Sequence, residues 1–136
     1  MELDLRPVAS VHTRIAALRS LRKGEGAGYN HAWTAPCDTT IAILSIGYSD
    51  GLFRSSSFQG VEVLIHGQRR PLIGAMCMDQ CLVDLGTLPA AIGEEVVVIG
   101  VQGSESISAL EVAEKTGTIV PETLSMLRGR MPRILV

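Results

Sequence analysis

The chain has 136 residues, which allows one domain, and two only if both are minimal. Hydrophobic residues make up 46% and charged residues 19%, so disorder is excluded and a real core is within reach without staples. The net charge of −2 lacks the basic footprint of a nucleic-acid or anionic-membrane binder, and no apolar run approaches the ~20 residues of a membrane span.

Met1 to Pro7 is charged and lacks the apolar stretch of a signal peptide. Val8 to Leu18 fits two patterns. Val11, Thr13, Ile15 and Ala17 alternate as in a strand, while Ile15, Leu18 and Leu21 also suit a helix. Arg22 to Gly28 is turn-like, because its glycines are hard to hold in a helix. Thr39 to Ile46 is a nearly continuous apolar run and reads as a strand buried on both faces.

Val61 to Ile65 is a second strand, His66-Gly67-Gln68 turns, and Arg69 to Ile73 returns as a hairpin. Pro71 puts the return strand at an edge or makes it start late. Met76 to Leu85 and Val96 to Val101 read as further strands. Ser108 and Glu111 have the spacing of a capping box, and Gly117 suits the stop of that helix. Pro121 opens a second short helix with Leu124 and Leu127 on one side, and Ile134 to Val136 resembles a terminal strand. The expected fold is a single mainly β domain over residues 1–136, with one or two short helices near the C-terminus.

Three cysteines, Cys37, Cys77 and Cys81, make no paired framework and read as reduced thiols of a cytoplasmic protein. Cys77, Cys81 and His66 lack a fourth ligand and a tight knuckle, so no metal site is expected. All five aromatic residues fall between Tyr29 and Phe58. Both tyrosines follow a glycine, which lets backbone approach a ligand closely, although a wet surface corner explains them too. Met76 and Met78 alternate with Cys77 and Asp79, which puts Asp79 on the side of the two cysteines. A carboxylate there needs either an open side or a partner.

Leu5-Arg6-Pro7, Gly28-Tyr29, Trp33-Thr34, Ile46-Gly47-Tyr48-Ser49-Asp50-Gly51, Arg54, Gly67, Gly74, Cys77-Met78-Asp79-Gln80, Val83-Asp84, Gly93-Glu94-Glu95-Val96 and Gly117-Thr118-Ile119 occur in order. Each is weak alone. Their joint order and spacing resemble the C-terminal domain of the alanine racemases, from about Leu5 to Arg133.

The resemblance implies a barrel-like β domain belonging to a cytoplasmic, homodimeric isomerase that supplies D-alanine for peptidoglycan. It implies pyridoxal 5′-phosphate in the full enzyme, held as a Schiff base by a lysine of an N-terminal α/β barrel that these residues do not include. Lys23 and Lys115 do not match that lysine, so this chain alone is expected to bind no cofactor and to be inactive. Racemisation needs acid–base groups on opposite faces of the α-carbon. By motif, the resemblance assigns one of them to Tyr29, offered in trans to a partner subunit. Met78 matches a substrate contact, and Tyr48, Arg54, Asp79 and Ile119 match the entryway. Ala75 stands where the family often has arginine, and Pro121 where it often has tyrosine. A racemase for another small amino acid, such as serine, therefore stays open, as does a non-enzymatic β domain used for assembly or partner binding.

Overall fold

The structure is a computed structural model that describes residues 5–136; residues 1–4 of the charged N-terminal segment lie outside them. Six antiparallel strands close into a barrel. In chain order they are β1 (Val11–Leu21), β4 (Thr39–Leu44), β5 (Glu62–Ile65), β6 (Gln68–Ile73), β7 (Cys81–Gly86) and β8 (Glu95–Gln102). Around the barrel the order is β1-β4-β7-β6-β5-β8, and the β8–β1 pairing closes it. The short strand β9 (Glu105–Ile107) extends β8. Two helices follow, α1 (Ala109–Thr116) and α2 (Val120–Met126). The expected mainly β, barrel-like fold with short C-terminal helices is therefore correct.

The ambiguous N-terminal stretch is a strand. Its pairing register with β4 shifts between Ile15 and Ala17, and its partner changes from β8 to β4 along its length. One strand thus serves two neighbours, and the bulge breaks the period-two signal. β4 is buried on both faces for a reason the run alone does not reveal. Ala42 and Leu44 join the main core, whereas Ile41 packs in a second cluster with Leu21, Ala27, Ala35 and Ile73. That second cluster lies beneath a small hairpin, β2 (Gly26–Ala27) with β3 (Trp33–Thr34), which the sequence reading did not anticipate.

Pro71 is not at a free edge, because β6 pairs with both β5 and β7. Leu72 donates its N–H to Val61, so the nitrogen of Pro71 faces the β7 side, where pairing begins only at Leu72. The missing donor therefore costs no ladder bond. Two other expectations are corrected. The Met76 strand starts at Cys81, since residues 76–80 are spent on a loop. Ile134 to Val136 form no strand and are exposed.

Ser108 caps α1 by accepting the Glu111 N–H at 3.0 Å. The return half of the capping box is absent, because the Glu111 carboxylate binds Arg69 (2.7 Å) and Lys115 (3.0 Å) instead. Arg69 also reaches Glu62 and Glu105, so this network fastens α1 to β5, β6 and β9.

Candidate active site

Three loops meet at one rim of the barrel, and a glycine sets the close approach at each meeting. The first is the tip of the β2–β3 hairpin. Gly28 has φ +78°, and a Cβ there would sit 2.9 Å from the Ala75 nitrogen. Only glycine allows both the left-handed backbone and that approach. Asn30 (φ 55°) and His31 (φ 48°) continue in the left-handed region. The His31 imidazole lies against Gly26, where a Cβ would overlap the ring. A tight 3-10 turn over Tyr29–His31 results, and it holds Tyr29 outward with 66% of its surface exposed.

The second loop follows β4. Gly47 has an extended backbone, so its role is spacing: a Cβ would fall 2.4 Å from the Cys77 carbonyl oxygen and 2.5 Å from that of Met78. Across this contact Tyr48 N–H donates to Cys77 (3.2 Å) and Ser49 N–H to Met78 (2.8 Å). Ser49 Oγ also donates to the Met78 carbonyl at 2.6 Å. The third loop, residues 74–80, is thus laid directly on the second. Gly74 in turn lies against Ala27 and Gly28, and its carbonyl accepts the Ser57 hydroxyl.

The segment after α2 forms a strap across this assembly. Gly51 (φ +115°) sits under the backbone of Met126 and Leu127. Arg130 reaches back to Asp50, Nε to Oδ1 at 3.1 Å and Nη2 to Oδ2 at 3.2 Å. Asp50 is 2% exposed, and its Oδ2 also accepts the Gly47 N–H. The Arg130 guanidinium lies above its usual pKa, chiefly through the bonds to this carboxylate.

Tyr29, Tyr48, Ser49, Cys77, Met78, Asp79 and Arg130 line one open cleft at this rim. Four of the residues singled out from the sequence are therefore brought together: Tyr29, Tyr48, Met78 and Asp79. Arg54 and Ile119 are exposed but do not line it. Asp79 faces solvent, so the awkward buried carboxylate does not arise there. The buried carboxylate is Asp50, which the sequence showed only as part of the Ile46–Gly51 motif, and its partner Arg130 carries no signal in the sequence. Cys77 is half-buried in the cleft, whereas burial first, and then Cys77 and the Asp50 carboxylate, push the Cys81 thiol up to about 12. His66 pairs with Glu94 at 2.7 Å, and among the described residues no three His, Cys, Asp or Glu side chains are grouped to hold a metal. Lys115 is engaged with Glu62 and Glu111, and neither it nor Lys23 lines the cleft.

Known proteins resemble this chain over nearly its whole length. The family model described as "Alanine racemase, C-terminal domain" matches residues 8–135. An alanine racemase of Mycobacterium ulcerans is 43% identical over 98% of this chain, and one of Sorangium cellulosum is 43% identical over 96%. The chain spans about a third of those relatives, 34% and 35% of their lengths. A crystal structure of alanine racemase from Bacillus anthracis with bound L-Ala-P superposes with TM-score 0.88 at 41% identity, covering 93% of this chain and 32% of that one. A histidine racemase from Leuconostoc mesenteroides superposes with TM-score 0.91 at 31% identity, covering 98% and 36%.

Proposed function

The chain belongs to the alanine racemase C-terminal domain family, and from that premise we propose that it supplies one of the two proton-transfer groups of a pyridoxal-phosphate-dependent amino-acid racemase. The observation that carries this reading is the Tyr29 phenol, held outward by a glycine-anchored turn at the rim of a shared cleft. A phenol so placed can reach a reacting carbon held outside its own domain.

The cofactor, when bound in the full enzyme, supplies the electron sink that makes the α-carbon acidic. No lysine lines the cleft of this chain, so covalent attachment falls to the N-terminal part of the enzyme. What this chain contributes is the hydroxyl of Tyr29, which gives a proton to one face of the α-carbon or takes one from it. Met78, 59% exposed beside it, forms a wall against a small amino-acid substrate. Tyr48 and Asp79 border the way in, and Arg54 and Ile119, both exposed, are assigned to the entryway by family motif alone. The partner is the cofactor-bearing α/β barrel, met in trans across a homodimer, in the cytoplasm where three unpaired thiols stay reduced. Among the described residues no helix is long and apolar enough to cross a membrane.

The test combines this chain with the N-terminal part of a related alanine racemase and pyridoxal phosphate, and follows L- to D-alanine by chiral chromatography. Activity is expected from the mixture and not from the chain alone. Tyr29→Phe should lower kcat by about 10²–10⁴-fold, the range for a lost general acid–base group. Full activity in Tyr29→Phe would refute the assignment. The likeness to a histidine racemase makes histidine a substrate to try beside alanine, and the departures at Ala75 and Pro121 make serine another.

A further inference from the structure

Arg130 touches the cleft from a part of the chain that carries none of its other lining residues. Its guanidinium spends Nε and Nη2 on the buried Asp50 carboxylate, and Nη2 also donates to the Asp79 carbonyl at 3.1 Å. Asp50 in turn accepts the Gly47 N–H and thereby shapes the turn that presents Tyr48. One cation thus joins the loop of Tyr48 to the loop of Met78 and Asp79. Asp50 is buried while Arg130 is 57% exposed, and replacing a buried ion pair by apolar groups of similar volume is often neutral or stabilising, so stability alone does not account for this pair. Where such a pair persists, conformational specificity is the alternative role. Here the pair sits between two walls of a cleft.

We infer that Arg130 is a positioning residue that fixes the width of the cleft between Tyr48 and Met78 through the Asp50 carboxylate and the Asp79 carbonyl. In its catalytic consequence the inference rests on the racemase reading. A wider cleft binds the substrate less tightly in ground and transition state alike, while the Tyr29 turn keeps its own backbone contact with Gly74 and Ala75.

Two readouts test it. In the racemase assembled with the N-terminal part, Arg130→Gln should raise KM about tenfold, the mark of lost uniform binding, with kcat within about twofold of wild type. Arg130→Lys keeps a cation on Asp50 and should recover much of the loss. In the 136-residue chain, with exposed Cys37 changed to serine, the rate at which 5,5′-dithiobis(2-nitrobenzoate) modifies Cys77 reports the gap between the loops directly. That rate should rise several-fold in Arg130→Gln and stay near wild type in Arg130→Lys, with far-ultraviolet circular dichroism unchanged in both. An unchanged thiol rate in folded Arg130→Gln overturns the inference, as does a kcat loss without a KM change. If the wild-type mixture does not racemise, the functional reading fails while the thiol rates still decide the clamp.

Discussion

Gly47→Ala puts the assembly of the rim to its hardest test. The φ of −150° is open to any residue, so backbone strain has no part in the outcome. What alanine adds is one methyl group, 2.4 Å from the Cys77 carbonyl oxygen, 2.5 Å from that of Met78 and 2.6 Å from the Met78 carbonyl carbon. Cβ contacts below 3.0 Å essentially do not occur, so the loops must part by at least 3.0 − 2.4 = 0.6 Å. The neighbours are backbone, so no rotamer change relieves the clash. Parting by that amount stretches the Tyr48–Cys77 hydrogen bond from 3.2 Å to about 3.8 Å, which breaks it. Overpacking costs about 1–3 kcal/mol and the lost bond about 1 more, so Gly47→Ala should destabilise by about 2–4 kcal/mol. Urea unfolding followed by circular dichroism measures this. The control is Gly60→Ala, where φ is +71° and nothing lies within 4 Å, so only about 1–2 kcal/mol of left-handed strain applies. A Gly47→Ala variant as stable as wild type, or more stable than Gly60→Ala, would refute the reasoning.

Two further outcomes follow from the charges and thiols. The Glu111 carboxyl, 26% exposed, is pulled down to about 2, first by Arg69 and then by Lys115. A carboxyl depressed in the folded state adds stability above its unfolded pKa and loses it as pH falls toward the folded value. Glu111→Gln should therefore cost about 1–2 kcal/mol at pH 7 after allowing for solvent screening, with the difference from wild type shrinking below about pH 4.5 in urea titrations. A difference that stays constant down to pH 3 would contradict the ion-pair assignment. For the thiols, Cys37 should react first with an alkylating reagent, half-buried Cys77 more slowly, and Cys81 only on unfolding. Peptide mapping that finds Cys81 labelled in the native protein would contradict its burial.

The barrel strands were legible because their signal is local. Thr39 to Leu44 and Val61 to Ile65 are apolar runs bounded by turn residues, and α1 carries its own start at Ser108 and stop at Gly117. Where the sequence misled, a distant partner had overruled the local pattern. The bulge at Ile15 exists because β1 must serve both β8 and β4. Residues 76–80 have strand composition but are held as a loop by Gly47 and Ser49, some thirty residues earlier. In the site, Tyr29, Tyr48, Met78 and Asp79 were found through family motifs, and glycine beside tyrosine was the physical clue. Asp50 was visible only as one residue of the Ile46–Gly51 motif. Its pairing with Arg130, 80 residues away, is a tertiary fact with no local trace.

The rim is held chiefly by backbone. Gly28 lies on Gly74 and Ala75, Gly47 on Cys77 and Met78, and Gly51 on Met126 and Leu127. These contacts link the Tyr29 turn to the third loop, that loop to the Tyr48 turn, and the Tyr48 turn to the C-terminal strap. Of the side chains facing the cleft, only Arg130 and Ser49 tie loops together; the others hang from this frame and do little to hold it. For Tyr29 the consequence is sharp. Its ring is two-thirds exposed, so removing the hydroxyl oxygen leaves no cavity. Tyr29→Phe should then unfold within about 0.5 kcal/mol of wild type, as exposed substitutions do. A loss of racemisation in that variant would consequently report proton transfer and not a collapsed loop. Substantial destabilisation by Tyr29→Phe would mean instead that the hydroxyl helps to hold the rim, and the activity test would lose its chemical meaning.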